Sequence, residues 1–372
     1  MTKVAVPPEA AALLAPLAEA ARVQGAPLYA VGGPVRDWLL ARPNFDLDLT
    51  VAGDPDPVAR AAAALLGGKV EPFGRFGTRR IAADAKFRVD VATTREERYD
   101  APAALPVVHA TGVPIEKDLF RRDFTVNAMA VRLDDGSFAL TDPYGGMKDL
   151  AAKVVRVLHP ASFRDDPTRV FRAARFCARF GFAPAPGLET AAKDARPFAA
   201  KLSPHRRFHE LLVLLAEKSP TAAFSRLAEW GYLPLLGFDA WPAGAPDGVD
   251  ERLAHLALSM GTQKGLSFLD SFPVERALRG RLEAVLAVAF SRLSPRAPLD
   301  PFVEAAVRRF SPKLSVAALS PAFLTGADLL AAGLKPGPEM QKVLDESAAL
   351  QRAGKLASRE AALSWLATRC QA

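Results

Sequence analysis

VGGPVRDWLLARPNFDLDLTV, residues 31–51, decides how this chain folds. An apolar run, PLYAV, leads into a double glycine; a helical pattern and then a strictly alternating run follow. PLYAVGG predicts a strand entering a glycine turn. PVRDWLLAR predicts a helix, with Pro34 in the first turn, where its missing N–H is tolerated. NFDLDLTVAG predicts a half-buried strand. Residues two apart on a strand share a face, so Asp46 and Asp48 are expected side by side. Adjacent carboxylates repel each other unless a cation lies between them. Such a pair of hard oxygen ligands is what metal-assisted phosphoryl transfer requires.

On both sides of this stretch the pattern is mixed α/β. MTKVAVPPEAAALLAPLAEAARVQG predicts an amphipathic first helix, and its acidic residues and lack of a basic start argue against a secretory signal. DPDPVARAAAALLGG predicts a helix closed by glycine. RIAADAKFRVDVAT predicts a strand hairpin, and FTVNAMAVRL followed by DDG predicts a strand and turn. From Asp165 onward Ala, Leu and Arg recur at helical spacing almost to the end. A Pro- and Gly-rich joint falls at 233–248 and a shorter break at 291–301. The expected class is α+β: a head of mixed sheet and helices over 1–150, a helical neck over 151–232, and a helical body and tail over 233–372.

The 372 residues suffice for more than one core. No apolar run approaches roughly 18 residues, so no membrane span is expected. The two cysteines, Cys177 and Cys370, cannot build a disulfide framework or a zinc site alone, which points to a reducing cytoplasm. A net charge of +7 favours a polyanionic partner.

Four further motifs carry chemistry. Gly32 and Gly33 open a helix, where a phosphate can approach the backbone and Arg36 can add a charged fork. Asp90 lies between Val89 and Val91 on a predicted strand; an acid there needs a partner or a metal. In RRDFTVNA, Arg121 and Arg122 can grip triphosphate oxygens, with Asp123 and Asn127 beside them. In DDPTRVFRAAR, Asp166 and Pro167 start a helix along which Arg169, Arg172 and Arg175 recur every three residues. Each motif alone has a plainer reading. A strand-to-helix turn needs glycine, paired aspartates occur in solvated loops, arginines occur at strand entries, and Asp166 caps a helix.

Taken in order, these motifs resemble the class II tRNA nucleotidyltransferases, the CCA-adding family, which shares its head with bacterial poly(A) polymerases. The resemblance rests on VGGPVRDWLLARPNFDLDL, RVDVATTREERYDAPAALPVV, DLFRRDFTVNAMA, DPYGGMKDL and DDPTRVFRAARFCARFGF, spanning about 28–182. It implies a polymerase β-like head, two Mg²⁺ ions on Asp46 and Asp48, and an incoming CTP or ATP held by Gly32, Gly33, Arg36 and Arg122. It further implies that Asp166 and Arg169 read the base, with Arg172 and Arg175 close by, and that the helical arm grips the acceptor stem and elbow of tRNA. Asp165 stands where the family carries Glu, His205 replaces the opening Glu of HRRFHEL, and PAALP lacks the usual glycine after Pro102. An Asp–Arg pair suits adenine and cytosine, which both present an amino donor beside a ring-nitrogen acceptor; guanine and uracil reverse that pattern. Within the same chemistry the chain could be a poly(A) polymerase. From a different class it could be a non-catalytic RNA-binding protein.

Overall fold

The computed structural model describes residues 2–74, 76–83 and 86–371. It divides into two compact units. The first is Met1–Leu202 with Ala222–Tyr232; the second is Ser203–Thr221 with Leu233–Ala372.

The first unit runs α1 (Pro8–Val23), β1 (Leu28–Val31), α2 (Gly33–Leu39), β2 (Asp46–Val51), α3 (Asp56–Leu66), β3 (Lys69–Phe73), β4 (Thr78–Ala82) and β5 (Arg88–Thr93). A separate hairpin of β6 (Arg95–Arg98) and β7 (Val107–Thr111) follows, then α4 (Ile115–Phe120), β8 (Ala130–Arg132) and β9 (Leu140–Thr141). Next come α5 (Gly146–Ala152), α6 (Ser162–Asp165) and α7 (Thr168–Phe180). The described residues form a sheet of order β3-β4-β5-β2-β1-β8-β9. β2 and β5 run parallel; the other neighbours are antiparallel.

Alternation along β2 explains its placement. Leu47, Leu49 and Val51 are buried, whereas Asp46 and Asp48 stay open. Each buried aliphatic contributes about 1.5–3 kcal/mol, so a one-residue slip that turned them to solvent would be prohibitive. The alanines of α3 let it lie close on β3, β4 and β5, and α1 packs on α3. Gly67 closes α3 in the left-handed conformation.

Two expectations change. Residues 125–127 form a 3₁₀ turn, and the strand begins only at Ala130. The cause is local: Thr125 donates its hydroxyl to Asp149, and the Asn127 amide donates to Asp123, which draws these residues out of a ladder. The arm after Asp165 is not wholly helical either, since Ala183–Pro184 pairs in parallel with Val154–Val155. The hairpin over 80–93 pairs Arg79 with Val91 and Arg80 with Asp90; positions 84 and 85 lie outside the described residues.

The second unit is helical, with its longer helices at Pro204–Leu215, Val249–Ser259, Arg276–Ala289, Pro338–Arg352 and Arg359–Gln371. Buried polar side chains tie its loops. Arg252 donates to the carbonyls of Pro246, Leu215 and Glu217 at 2.5–2.6 Å. Gln351 receives Phe323 N–H and donates to the carbonyls of Ala317 and Pro321. Arg352 donates to the carbonyls of Val288 and Ala318, and burial lowers its pKa. Among the described residues no helix is long and apolar enough to cross a membrane.

Candidate active site

The open face of β2 carries Asp46 and Asp48 together. In register, Asp48 lies opposite Asp90 of β5, and Asp46 opposite Arg88. Directly opposed residues project to the same side of a sheet, so three carboxylates share this face. Arg88 reaches Asp46 at 2.8 Å in a solvent-exposed pair. Asp48 keeps open surface but sits low among its neighbours. Desolvation there, with the charges of Asp46 and Asp90, pushes its pKa up to about 6 against the pull of Arg122 and Arg88. A site that resists ionisation in this way is suited to a divalent cation, which would favour the charged form. Asp46 and Asp48 supply hard oxygens for one. Asp90 does not point there freely: both of its oxygens accept from Arg80, at 2.9 and 2.7 Å. Among the described residues no three His, Cys, Asp or Glu side chains converge in ligating geometry.

The glycine turn closes one side. Gly32 has φ of +73°, which a side chain would strain, and a Cβ there would lie 2.9 Å from Nη1 of Arg122. Gly32 therefore lets the Arg122 guanidinium lie against the backbone at the start of α2. Arg122 donates Nη2 to Asp118 at 3.0 Å. Its Nε is buried without a hydrogen-bond partner among the described residues. Asp118 is fully buried; burial raises its pKa, but Arg122 and Arg121 outweigh that, and the net shift is downward. Arg121 turns to the other side of Asp118, towards Glu97.

Arg36, Asp123, Asn127 and Arg172 form one chain, buried except at the partly exposed Arg172. Arg36 donates to the side-chain amide oxygen of Asn127 at 2.6 Å and pairs with Asp37 at 2.8 Å, and its guanidinium lies over Phe180. Asn127 donates to Asp123 at 2.9 Å, and Asp123 receives Nε of Arg172 at 2.8 Å. Burial raises the Asp123 pKa, but Arg172 and Asn127 prevail and hold it at about 2. This chain fixes the first turn of α2 to the middle of α7.

At the start of α7 the Asp166 carboxylate accepts from the N–H and hydroxyl of Thr168, which is the capping role. Arg169 is buried; it donates to Ser162 and the Arg121 carbonyl, both at 2.7 Å, and to the Tyr99 hydroxyl at 3.4 Å. Arg175 is also buried. Arg169 and Arg175 thus pack inward from α7, while Arg172 keeps part of its side chain in solvent. Gly32, Arg122, Asp46, Asp48 and Asp90 surround one open face, while Arg36, Asp123, Asn127 and Arg172 brace it from beneath. Arg80, Arg88, Asp118 and Tyr99 were missed by sequence reasoning. Only the strand parity of Arg80 and Arg88 signalled them; Asp118 on its short helix and Tyr99 gave no signal.

The family model for the poly(A) polymerase head domain matches residues 28–156. A CC-adding tRNA nucleotidyltransferase of Deinococcus radiodurans is 32% identical over 90% of this chain and 87% of its own length. An A-adding tRNA nucleotidyltransferase of Geobacter sulfurreducens is 43% identical over 56% of this chain. The chain spans only 18–52% of the length of the A-adding relatives it matches. A Thermotoga maritima CCA-adding enzyme complexed with tRNA superposes with a TM-score of 0.67 at 26% identity, covering 98% of this chain and 96% of that one.

Proposed function

The chain belongs to the class II tRNA nucleotidyltransferase family, and from that premise we propose that it adds C and/or A residues to the 3′ end of tRNA. CTP and ATP are the donors and pyrophosphate is released, without a nucleic-acid template. The observation that carries this reading is the open face on which Asp46 and Asp48 stand together opposite Arg122.

Asp46 and Asp48 would hold two Mg²⁺ ions. Bound there, they would lower the pKa of the attacking 3′-hydroxyl and offset the charge gathering on the leaving pyrophosphate. The protein's own contribution is alignment. The turn at Gly32 and Gly33 leaves room for phosphate oxygens beside the backbone. Arg122, with its unpartnered Nε, offers donors to them. Arg36 acts from beneath by holding α2 against Asn127. Asp90, locked on Arg80, keeps the carboxylate row in place.

Asp166 and Arg169 read the base. The carboxylate accepts from the amino group of C or A, and the guanidinium donates to the ring nitrogen. Arg169 keeps Ser162 and the Arg121 carbonyl; its longer contact to Tyr99 is the one a base replaces. Guanine or uracil would set donor against donor and acceptor against acceptor, which is costly in a closed site. We assign catalysis to 1–150, base recognition to 151–232 and tRNA binding to 233–372, in a cytoplasmic setting.

The deciding assay offers tRNA transcripts ending before CCA, after C and after CC, with CTP and ATP singly and together, and sequences the products. Addition confined to C, or to A, or completing CCA defines the specificity. Long adenylate tails on unrelated RNA would replace this reading with poly(A) synthesis. No extension of any transcript would end it.

A further inference from the structure

The face that carries the aspartates continues across the sheet to its edge. Asp48 lies opposite Asp90, Asp90 opposite Arg80, and Arg80 opposite Glu71 of the edge strand β3. Two residues beyond Glu71, on the same side by strand parity, stands Phe73. Phe73 is 43% exposed, and what sets it apart is the guanidinium on its ring. The Arg80 guanidinium lies 3.3 Å from its ring centre, while both Asp90 oxygens hold that guanidinium in place. One face of the ring is therefore covered by a cation that cannot swing freely, and its exposure belongs to the remaining face and edge. Strand spacing puts β3 and β4 roughly 10–15 Å from the aspartates on β2.

We infer that Phe73, backed by Arg80, is a stacking platform for an unpaired base of the acceptor RNA near its 3′ end. The inference rests on the transfer reading above and adds to it the surface that receives the RNA strand. A fixed aromatic ring with a cation on one face attracts a nucleobase to the other, and stacking of this kind tolerates every base. Glu71 in the same row makes a phosphate track along this edge unfavourable. Stacking, not charge, is thus the contact the surface fits. The path from the ring back along Arg80 and Asp90 leads to Asp48, where the terminal hydroxyl must lie. Base-independent stacking also suits a strand end whose sequence changes as nucleotides are added.

The test uses the full-length protein, an RNA minihelix with a short single-stranded 3′ overhang, and its blunt counterpart. Phe73→Trp places an indole at the platform. Its emission, taken as the difference from wild type, is expected to be quenched by the overhang RNA and not by the blunt one. Phe73→Ala is expected to raise the KM for RNA by roughly 5- to 150-fold, with the KM for CTP and ATP and the melting temperature unmoved. Equal response to both RNAs, no response to either, or an unchanged RNA KM in Phe73→Ala overturns the platform. The two readings fail separately. If wild type lengthens no RNA, transfer is lost while the quench still decides the platform. If wild type is active and the indole is silent, the platform is lost and transfer stands.

Discussion

Arginines that are buried or half-buried behave differently in the two units of this molecule. In the first, Arg36, Arg121, Arg122 and Arg172 lean on side chains of the site: Asp37, Asn127, Asp118 and Asp123. In the second, Arg252 and Arg352 donate chiefly to backbone carbonyls and hold the path of the chain. The same residue type therefore fixes chemistry in one place and loop geometry in the other. A net charge of +7 is thus a poor measure of how much cationic surface faces RNA. Among the described residues Arg36, Arg95, Arg169, Arg175, Arg252 and Arg352 are already committed inside.

The contrast can be broken most directly at the open carboxylates. Asp46→Ala or Asp48→Ala is expected to lower nucleotide incorporation by about a thousandfold or more. Thermal melting should not fall, because desolvation already disfavours the charged Asp48 in the metal-free fold. Near-normal incorporation in either variant would remove the carboxylates from the mechanism. In the second unit, Arg252→Ala leaves the buried carbonyls of Leu215, Glu217 and Pro246 without their donor. It should cost about 3 kcal/mol or more in urea unfolding. A loss below the precision of the titration would mean that water replaces the guanidinium.

Asp123 tests the bracing network by pH. Its pKa is held at about 2, below the ordinary carboxylate value. The ionised form is thus favoured in the fold, and the stability it contributes is fully present above about pH 4–5 and lost as pH falls towards 2. The contribution is about 2–3 kcal/mol. Melting curves between pH 2 and 5 should fall steeply for wild type and more gently for Asp123→Asn; parallel curves would deny Asp123 that part. The smallest expected effect is on selectivity. Asp166→Ala should cut discrimination against GTP and UTP by about ten- to a hundredfold in competition assays with tRNA. Unchanged discrimination would leave Asp166 only its cap on Thr168.

The head was legible because its signals are local. The alternation of NFDLDLTV assigns Asp46 and Asp48 to one face without knowledge of any other strand, and GGP marks the turn that follows β1. The rest depends on register. Asp90 was readable as an acid needing a partner, but Arg80 becomes that partner only through the antiparallel pairing of β4 with β5. The spacing of Arg169, Arg172 and Arg175 was plain, yet periodicity does not say whether a helix row faces solvent or packs inward. The strand expected at 125–127 gave way to a turn because Asp149 and Asp123, which lie outside that segment, capture its side chains.

Sequence alone therefore determined the class of fold, the paired aspartates and the ordered motifs of the family. Covalent neighbours and strand or helix periods suffice for those. Tertiary structure decided which charges are free to act and which are held: Asp90 by Arg80, Asp123 by Arg172, Arg36 by Asn127. The physical reason is that ion pairs and hydrogen bonds act through space over a few ångströms, and only the folded chain brings residues 10, 49 and 91 positions apart within that range.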